Sequence, residues 1–391
     1  MTGFRPPQTI KGIINALPDK DGSWDAFRTV LKASKLQAVD PASPSSYNSG
    51  NVFGPSDLDI PHFIQEPIFK PRLSAREVTE ILLADMLGHP KRFSVFPSRG
   101  KENDELAAAK IILDVFKPLH AGTGQGLWNV VSPRLSDKYV YPRRVKDMPK
   151  RKDLLRETDV SVNIMPFGSV ADLHHDIGYG TATLAQGAKL WIFYPPTKEN
   201  LDAASRAYTA PRGNRSRLSK SFKEMSNGIV FIQPQNTTVW VPPFCPHATL
   251  TLQTSILVGK ELYAKRKFPQ RLANGNLHLA WGRVNADKKA QESEAAELLA
   301  HLKSVLMTDE KVLHADTVRA WESGHGALKQ MAGDGKHGLE GFAKVWDQCT
   351  KLWNECPLCK IHVGEGRGQE SGRELRSTSF MTHFQKAHCG K

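Results

Sequence analysis

Residues 168–196 read GSVADLHHDIGYGTATLAQGAKLWIFYPP, and how this stretch is read decides the fold. It places His174, His175 and Asp176 side by side, followed by a run of alternating apolar and small residues. In an extended strand successive side chains point to opposite faces, so residues two apart share one. His174 and Asp176 then face the same way, and His175 faces the other. Two readings meet here. Either this is a polar turn between strands, or it offers an imidazole and a carboxylate to a metal on an inner face.

What lies downstream separates them. One His and one carboxylate are two parts of the two-His, one-carboxylate facial set that holds non-haem Fe(II). The third member must come from a distant strand, because only a sheet closed on itself brings a remote residue across. Residues 238–252, TVWVPPFCPHATLTL, supply His247 just past a Pro-rich turn and at the start of a strand pattern. A lone His-x-Asp is common on surfaces. One followed by a His in a matching strand–turn–strand context is far more specific, so His174, Asp176 and His247 are the expected iron ligands. His175 is expected to be packed or solvated. Cys245 is set aside, because Pro246 and the turn make it a poor additional ligand.

Lys189 carries the next inference. In GAKLWIFYPP, alternation puts Lys189, Trp191 and Phe193 on one face. A lysine beside two large aromatics is costly to bury without a counter-anion. A bound dicarboxylate would supply one. The other reading places Lys189 at the rim of the fold, its ammonium snorkelling to water.

Outward from this stretch, residues 121–263 carry SVNIMPF, GIVFIQP, TTVWVPP and TSILVGKELY. These are short runs rich in Val, Ile, Thr and aromatics, separated by Pro/Gly turns, as in an all-β barrel or jelly roll. Upstream, helices are expected over SWDAFRTVLKAS, over 74–87 with Ser74 as N-cap, and over 103–116. Residues 37–57, rich in Ser, Pro, Gly and Asn, read as a linker or long surface loop. After about residue 285 the helical pattern returns in SEAAELLAHLKSVLM and GFAKVWDQCTKLWNE.

At 391 residues, with 40% hydrophobic and 24% charged side chains, the chain has the composition of a soluble globular protein of one large core with appendages, or of a few domains. It lacks the run of about 18 apolar residues that a membrane span needs. The start, MTGFRPPQTIKGIINALPDKDG, lacks the features of a secretory leader. The 5 cysteines, with Cys356 and Cys359 in one CxxC, read as reduced thiols and a metal site. A nuclear or nucleocytoplasmic location is expected. The net charge of +13 favours acidic partners such as nucleic acid. RRVKDMPKRK at 143–152 reads as a localisation or phosphate-contacting segment, or a solvated loop. The basic stretch 206–223 carries the same two readings.

Taken together, 168–196 and 238–252 resemble the Jumonji C (JmjC) family of Fe(II)- and 2-oxoglutarate-dependent oxygenases. The resemblance covers about residues 121–263 and lies in the ordered set HxD, G-x-K-x-W, P-P and P-x-x-x-H. It implies a double-stranded β-helix, cupin-like, with iron on His174, Asp176 and His247, and Lys189 paired with the C5 carboxylate of 2-oxoglutarate. It further implies a protein substrate, such as histone or chromatin, that is demethylated or hydroxylated as 2-oxoglutarate is converted to succinate. This chain departs from the pattern in two ways. Ala171 stands where many members have a Thr that also contacts the C5 carboxylate, and the Asn or Thr some members place after HxD has no certain counterpart. Thr183 or Thr181 on the next strand is the expected substitute. The alternative function is a non-catalytic chromatin or nucleic-acid adaptor with the barrel as scaffold.

The C-terminal tail holds a second cluster. Cys356 and Cys359 form a knuckle, and His383 and His388 suit a short helix presenting both rings, which makes a closed two-Cys two-His structural zinc site. His362 or Cys389 is an alternative ligand, and Phe380 the expected core residue of the finger. The spacing from Cys359 to His383 exceeds the usual dozen or so, so the tail resembles a finger with an inserted Gly-rich loop. Protein and nucleic acid are equally open as its partners, and a disordered tail with unrelated Cys and His is the other reading. The expected organisation is α+β: an N-terminal helix and flexible linker (1–57), a helical lead-in (58–120), the JmjC-like barrel (121–270), a C-terminal helical region (271–350) and a zinc-finger-like tail (351–391).

Overall fold

A computed structural model describes residues 9–17, 23–88, 93–96, 127–143, 145–165, 167–210, 217–285, 288–332, 339–350, 353, 355–361, 383 and 386–388. The helix expected over 103–116 and Phe380 lie outside these residues, as do His362 and Cys389. The chain divides into two compact units, the first made of residues 1–150 and 156–262, the second of 151–155 and 263–391. Helix and sheet are mixed, with a large, mostly antiparallel sheet, flanking helices and a Cys/His cluster near the C-terminus. Among the described residues, no helix is long and apolar enough to cross a membrane.

The strands, in chain order, are β1 (Gln37–Ala38), β2 (His62–Ile64), β3 (Phe93–Phe96), β4 (Leu127–Val131), β5 (Leu154–Glu157), β6 (Ser161–Met165), β7 (Val170–His174), β8 (Tyr179–Phe193), β9 (Ile229–Pro234), β10 (Thr238–Val241) and β11 (His247–Ala264). The path through the sheet is β1-β9-β8-β11-β6-β4-β3, with β10 against β8 and β2, and β7 against β11. Two long strands organise it. The first half of β8 pairs with β10 and the second half with β9. The start of β11 pairs with β7, and its middle with β6.

Gly187 marks where β8 changes partners. Its φ is +90°, and a Cβ there would lie 2.4 Å from the Thr254 carbonyl oxygen. Only glycine takes this backbone without strain, and the β8–β11 register shifts opposite it, between Gln253 and Ile256. The bend lets one strand serve two neighbours.

Residues 37–57 do not behave as a free linker. Val39, Tyr47 and Phe53 are buried against Leu184, Trp191, Phe193 and Phe231 of the sheet. The Tyr47 hydroxyl donates to the Pro61 carbonyl. The Ser/Pro/Gly composition hid three large apolar side chains spaced far enough apart to escape any periodic pattern. The helix expected over 74–87 is present as Ala75–Gly88. Its start is a capping box: the Ser74 N–H donates to Glu77 Oε2 at 2.8 Å, and the Glu77 N–H to Ser74 Oγ at 3.2 Å.

The basic stretch 206–223 also departs from its reading as a loop. Helices Lys198–Thr209 and Arg217–Ser221 flank residues 211–216, which lie outside those described. Thr197 caps the first helix, and Leu201, Ala204 and Tyr208 bury one face of it. Arg206 is paired with Glu224 at 2.6 Å, so part of the positive charge is locally neutralised.

In the second unit, helices Phe268–Ala273, Gly275–Asn285, Lys288–Leu306, Lys311–Ala332 and Leu339–Thr350 enclose Leu272, Leu302, Val318, Trp321, Phe342 and Trp346. Gly324 allows the closest approach, because a Cβ there would fall 2.1 Å from the Leu272 carbonyl oxygen. Buried Arg271 uses its terminal nitrogens, which meet Glu297 at 3.1 Å, Glu294 at 3.2 Å and His301 Nδ1 at 2.9 Å, while its Nε has no hydrogen-bond partner among the described residues.

Candidate metal centres

His174 closes β7, and His247 opens β11 as its register partner. Their ring centroids are 4.1 Å apart. Asp176 follows just past β7, with Oδ2 3.8 Å from His247 Nε2. The ligand atoms of all three residues lie within 4.8 Å of one another. Each imidazole is oriented the same way. His174 Nδ1 lies 2.7 Å from the Asp172 carbonyl oxygen, and His247 Nδ1 lies 2.9 Å from that of Cys245. A carbonyl only accepts, so Nδ1 carries the proton and Nε2 keeps its lone pair for a metal.

The turn before His247 is tied to the other ligands. Phe244, at φ +61°, donates its N–H to the Asp176 carbonyl at 2.7 Å. A bulky residue in the left-handed region costs about 1–2 kcal/mol. Strain of this kind persists where the surroundings over-determine it. Burial raises the Asp176 carboxyl, with His174 pulling it back down. Burial, reinforced by His174, pushes His247 well below its ordinary value. A bound cation would reverse the first shift and use the neutral imidazole that the second provides. Two imidazole nitrogens and a carboxylate suit a first-row divalent ion such as Fe(II) without identifying it.

A cavity of about 500 Å³ opens beside these residues, lined by His174, Asp176, His247, Thr249, Trp191 and Ala171 among others. Asn163 also lines it, and its buried Oδ1 has no hydrogen-bond partner. A buried acceptor left open in a cavity fits a ligand that carries a donor. Lys260 and Arg156 sit on the same cavity, together with Asp159 and Glu261, and Lys260 is paired with Glu157 at 2.9 Å.

Lys189 is fully buried, which removes the rim reading. Desolvation lowers its pKa to about 7. Its Nζ contacts Met165 Sδ and lies 3.2 Å from Thr251 Oγ1. Thr183 does not line the cavity, and its hydroxyl is 2.9 Å from that of Thr238. Thr181 does line it. The hydroxyl nearest in register to Ala171 is on neither residue. It is that of Thr249, directly across on β11. His175 is packed away from the ligand set, with Nδ1 3.0 Å from the Tyr208 hydroxyl and its ring stacked on Tyr208 and Phe244.

The second cluster joins Cys356, Cys359, His383 and His388. Cys359 Sγ is 3.1 Å from His383 Nε2 and 3.9 Å from His388 Nε2, while Cys356 Sγ is 3.5 Å from His388 Nε2. Tetrahedral zinc with its usual bond lengths would set S···N separations of about 3.6 Å. The donor set and its spacing fit zinc without identifying it. The cluster is anchored in the second unit: Cys356 is fully buried in the helical core, and His388 Nδ1 contacts Glu322 Oε1 on helix Lys311–Ala332.

Sequence reasoning missed Asp172 and Glu322. The Asp172 carboxylate accepts the backbone N–H of Arg217 at 2.6 Å and of Leu218 at 3.1 Å, while its carbonyl holds His174. No local spacing announces a residue whose partners lie 45 positions away. Comparison with protein-family models and with curated proteins returns no match.

Proposed function

We propose that the first unit is a JmjC-type double-stranded β-helix and acts as an Fe(II)- and 2-oxoglutarate-dependent oxygenase. The observation that carries this reading is the convergence of His174, Asp176 and His247 on one cavity, each imidazole presenting Nε2. The two-partner strands β8 and β11 support the β-helix. Bound iron with 2-oxoglutarate would supply the oxidative chemistry: O₂, 2-oxoglutarate and a C–H bond give a C–OH group, succinate and CO₂.

The residues of this chain have separate tasks. His174, Asp176 and His247 would hold the metal, as a two-His, one-carboxylate set with positions left open for substrates. Asp172 and Cys245 orient the imidazoles through their carbonyls. Lys189 would compensate the distal carboxylate of 2-oxoglutarate in exchange for its contact with Met165. The aromatic wall of Trp191 and Phe193, stacked at 5.3 Å, keeps water from the ligand face of His247. Hydroxylation of an N-methyl carbon would release formaldehyde and amount to demethylation. Hydroxylation of a side-chain carbon would leave a stable product.

A protein substrate on chromatin and a nuclear location accord with the net charge of +13. The second unit would add a structural zinc site through Cys356, Cys359, His383 and His388. The test is succinate formation from 2-oxoglutarate by the Fe(II)-loaded full chain, with Asp176→Ala as control. The alternative, a non-catalytic chromatin or nucleic-acid adaptor with the barrel as scaffold, is favoured by one observation: the Thr of the pattern is Ala171. Metal binding without any 2-oxoglutarate binding or turnover would establish it.

A further inference from the structure

Lys189 does not reach the cavity, because Met165 stands in front of it. Met165 lines the cavity with its Sδ against Lys189 Nζ, and Lys189 itself does not. The other partner of Nζ is Thr251 Oγ1 at 3.2 Å, whose hydroxyl is in turn 3.2 Å from Ser169 Oγ. Among the described residues no carboxylate pairs with this fully buried ammonium. An ammonium has three donors, and a thioether is a weak acceptor. The ammonium and the Thr251 hydroxyl, with Ser169 behind it, form a place that would suit an anion and that a thioether fills.

The register places this site relative to the metal ligands. His247, Thr249 and Thr251 alternate along one face of β11, opposite Phe193, Trp191 and Lys189 of β8. The anion site therefore lies on the same inner face as His247, two strand pairs further along. Thr251 offers a hydroxyl there, opposite Lys189, whereas Ala171 lies opposite Thr249.

We propose that Met165 is a displaceable plug, which the distal carboxylate of a linear dicarboxylic 2-oxo acid pushes off Lys189 and replaces against Lys189 and Thr251. This rests on the oxygenase reading of the first unit. Methionine suits the role, because its unbranched side chain has several soft rotations and a polarisable end. Met165 is also the last residue of β6, so its side chain moves without breaking the interior of a ladder. Cosubstrate affinity is then set by the balance between the gained ion pair and the displaced thioether. A chain with this plug discriminates against short monocarboxylic 2-oxo acids, which reach the metal but leave Met165 in place.

The experiment uses the full chain loaded with Mn(II) under anaerobic conditions and 2-oxoglutarate as the probe. Binding is followed by calorimetry and by the ¹³C-methyl resonance of Met165. The expected results are a Met165 methyl shift on saturation, about tenfold tighter binding in Met165→Ala and about tenfold weaker binding in Thr251→Val. Mn(II) affinity stays unchanged in both variants, which also reports that they are folded. Equal or weaker binding in Met165→Ala, or an unmoved methyl at saturation in the wild type, overturns the plug and leaves the oxygenase reading standing. Binding to Met165→Ala but not to the wild type supports the plug and turns the wild type toward the adaptor reading. If neither protein binds 2-oxoglutarate while both bind Mn(II), the oxygenase reading falls and the plug falls with it.

Discussion

His174 and His247 are register partners on neighbouring antiparallel strands, and the carbonyl two residues before each ring fixes its Nδ1. The pair is thus built by strand pairing, while Asp176 is added by the turn that follows. Asp176 is the only anion of the three. Asp176→Ala should abolish tight Fe(II) or Mn(II) binding at this site while the sheet stays folded. Anaerobic metal titration with circular dichroism on the same sample checks this. A folded variant with undiminished stoichiometry at this site would refute the assignment.

Zinc should bind once per chain at Cys356, Cys359, His383 and His388. Because Cys356 belongs to the helical core, chelation should lower the melting temperature of the second unit and not merely release a tail. Glu322 contacts the far nitrogen of His388. Loss of such an outer partner typically weakens metal affinity about 10–100-fold, so Glu322→Gln should do so with all four ligands present. Competition with a chromophoric chelator measures it. An unchanged affinity would reduce Glu322 to a bystander.

Asp172 links the first ligand to a distant helix. Its carboxylate holds the N–H groups of Arg217 and Leu218, and its carbonyl holds His174. Asp172→Ala should cost the first unit about 1–2 kcal/mol, as for the loss of a helix cap, and weaken Mn(II) binding. Asp172→Asn, which keeps an acceptor oxygen, should recover most of both. Denaturant unfolding and metal titration of the two variants give the comparison. If Asn behaves like Ala, charge rather than acceptance is what matters there.

How much of this was legible in the sequence depends on the range of each signal. His174, Asp176 and His247 stand out because strand alternation and a Pro-rich turn are local patterns, and the structure brings their ligand atoms together. Cys356 and Cys359 are legible for the same reason. The basic side chains of 206–223 suggest a loop, whereas Leu201, Ala204 and Tyr208, at helical spacing, belong to the helix Lys198–Thr209. The composition of residues 37–57 suggests a linker, but the burial of Val39, Tyr47 and Phe53 depends on a sheet surface formed far along the chain. Met165 carried no sequence cue at all. Its contact with Lys189 joins two strands, β6 and β8, that are not paired with each other but flank β11 on either side.

Lys189 provides a pH test that needs neither iron nor substrate. Desolvation lowers its pKa from 10.5 to about 7. Between these values the unfolded chain holds a proton that the folded chain does not. Stability of the ligand-free first unit therefore rises with pH across that window, with a contribution of up to about 1.4 kcal/mol per pH unit. Below about pH 7 both states are protonated, and the cost of burying the charge is constant and fully present. Lys189→Met removes the titrating group and replaces a buried charge with an apolar chain of similar length, a change that is often stabilising. The variant should exceed the wild type most below pH 7, and the gap should shrink as pH approaches 10.5. Denaturant midpoints of both proteins across this range make the measurement, the difference cancelling every other titration. Saturating 2-oxoglutarate should flatten the wild-type slope, because a carboxylate beside the ammonium restores its proton affinity. Parallel curves for the two proteins would mean that Lys189 keeps its ordinary pKa in the fold, its charge being compensated already without any anion.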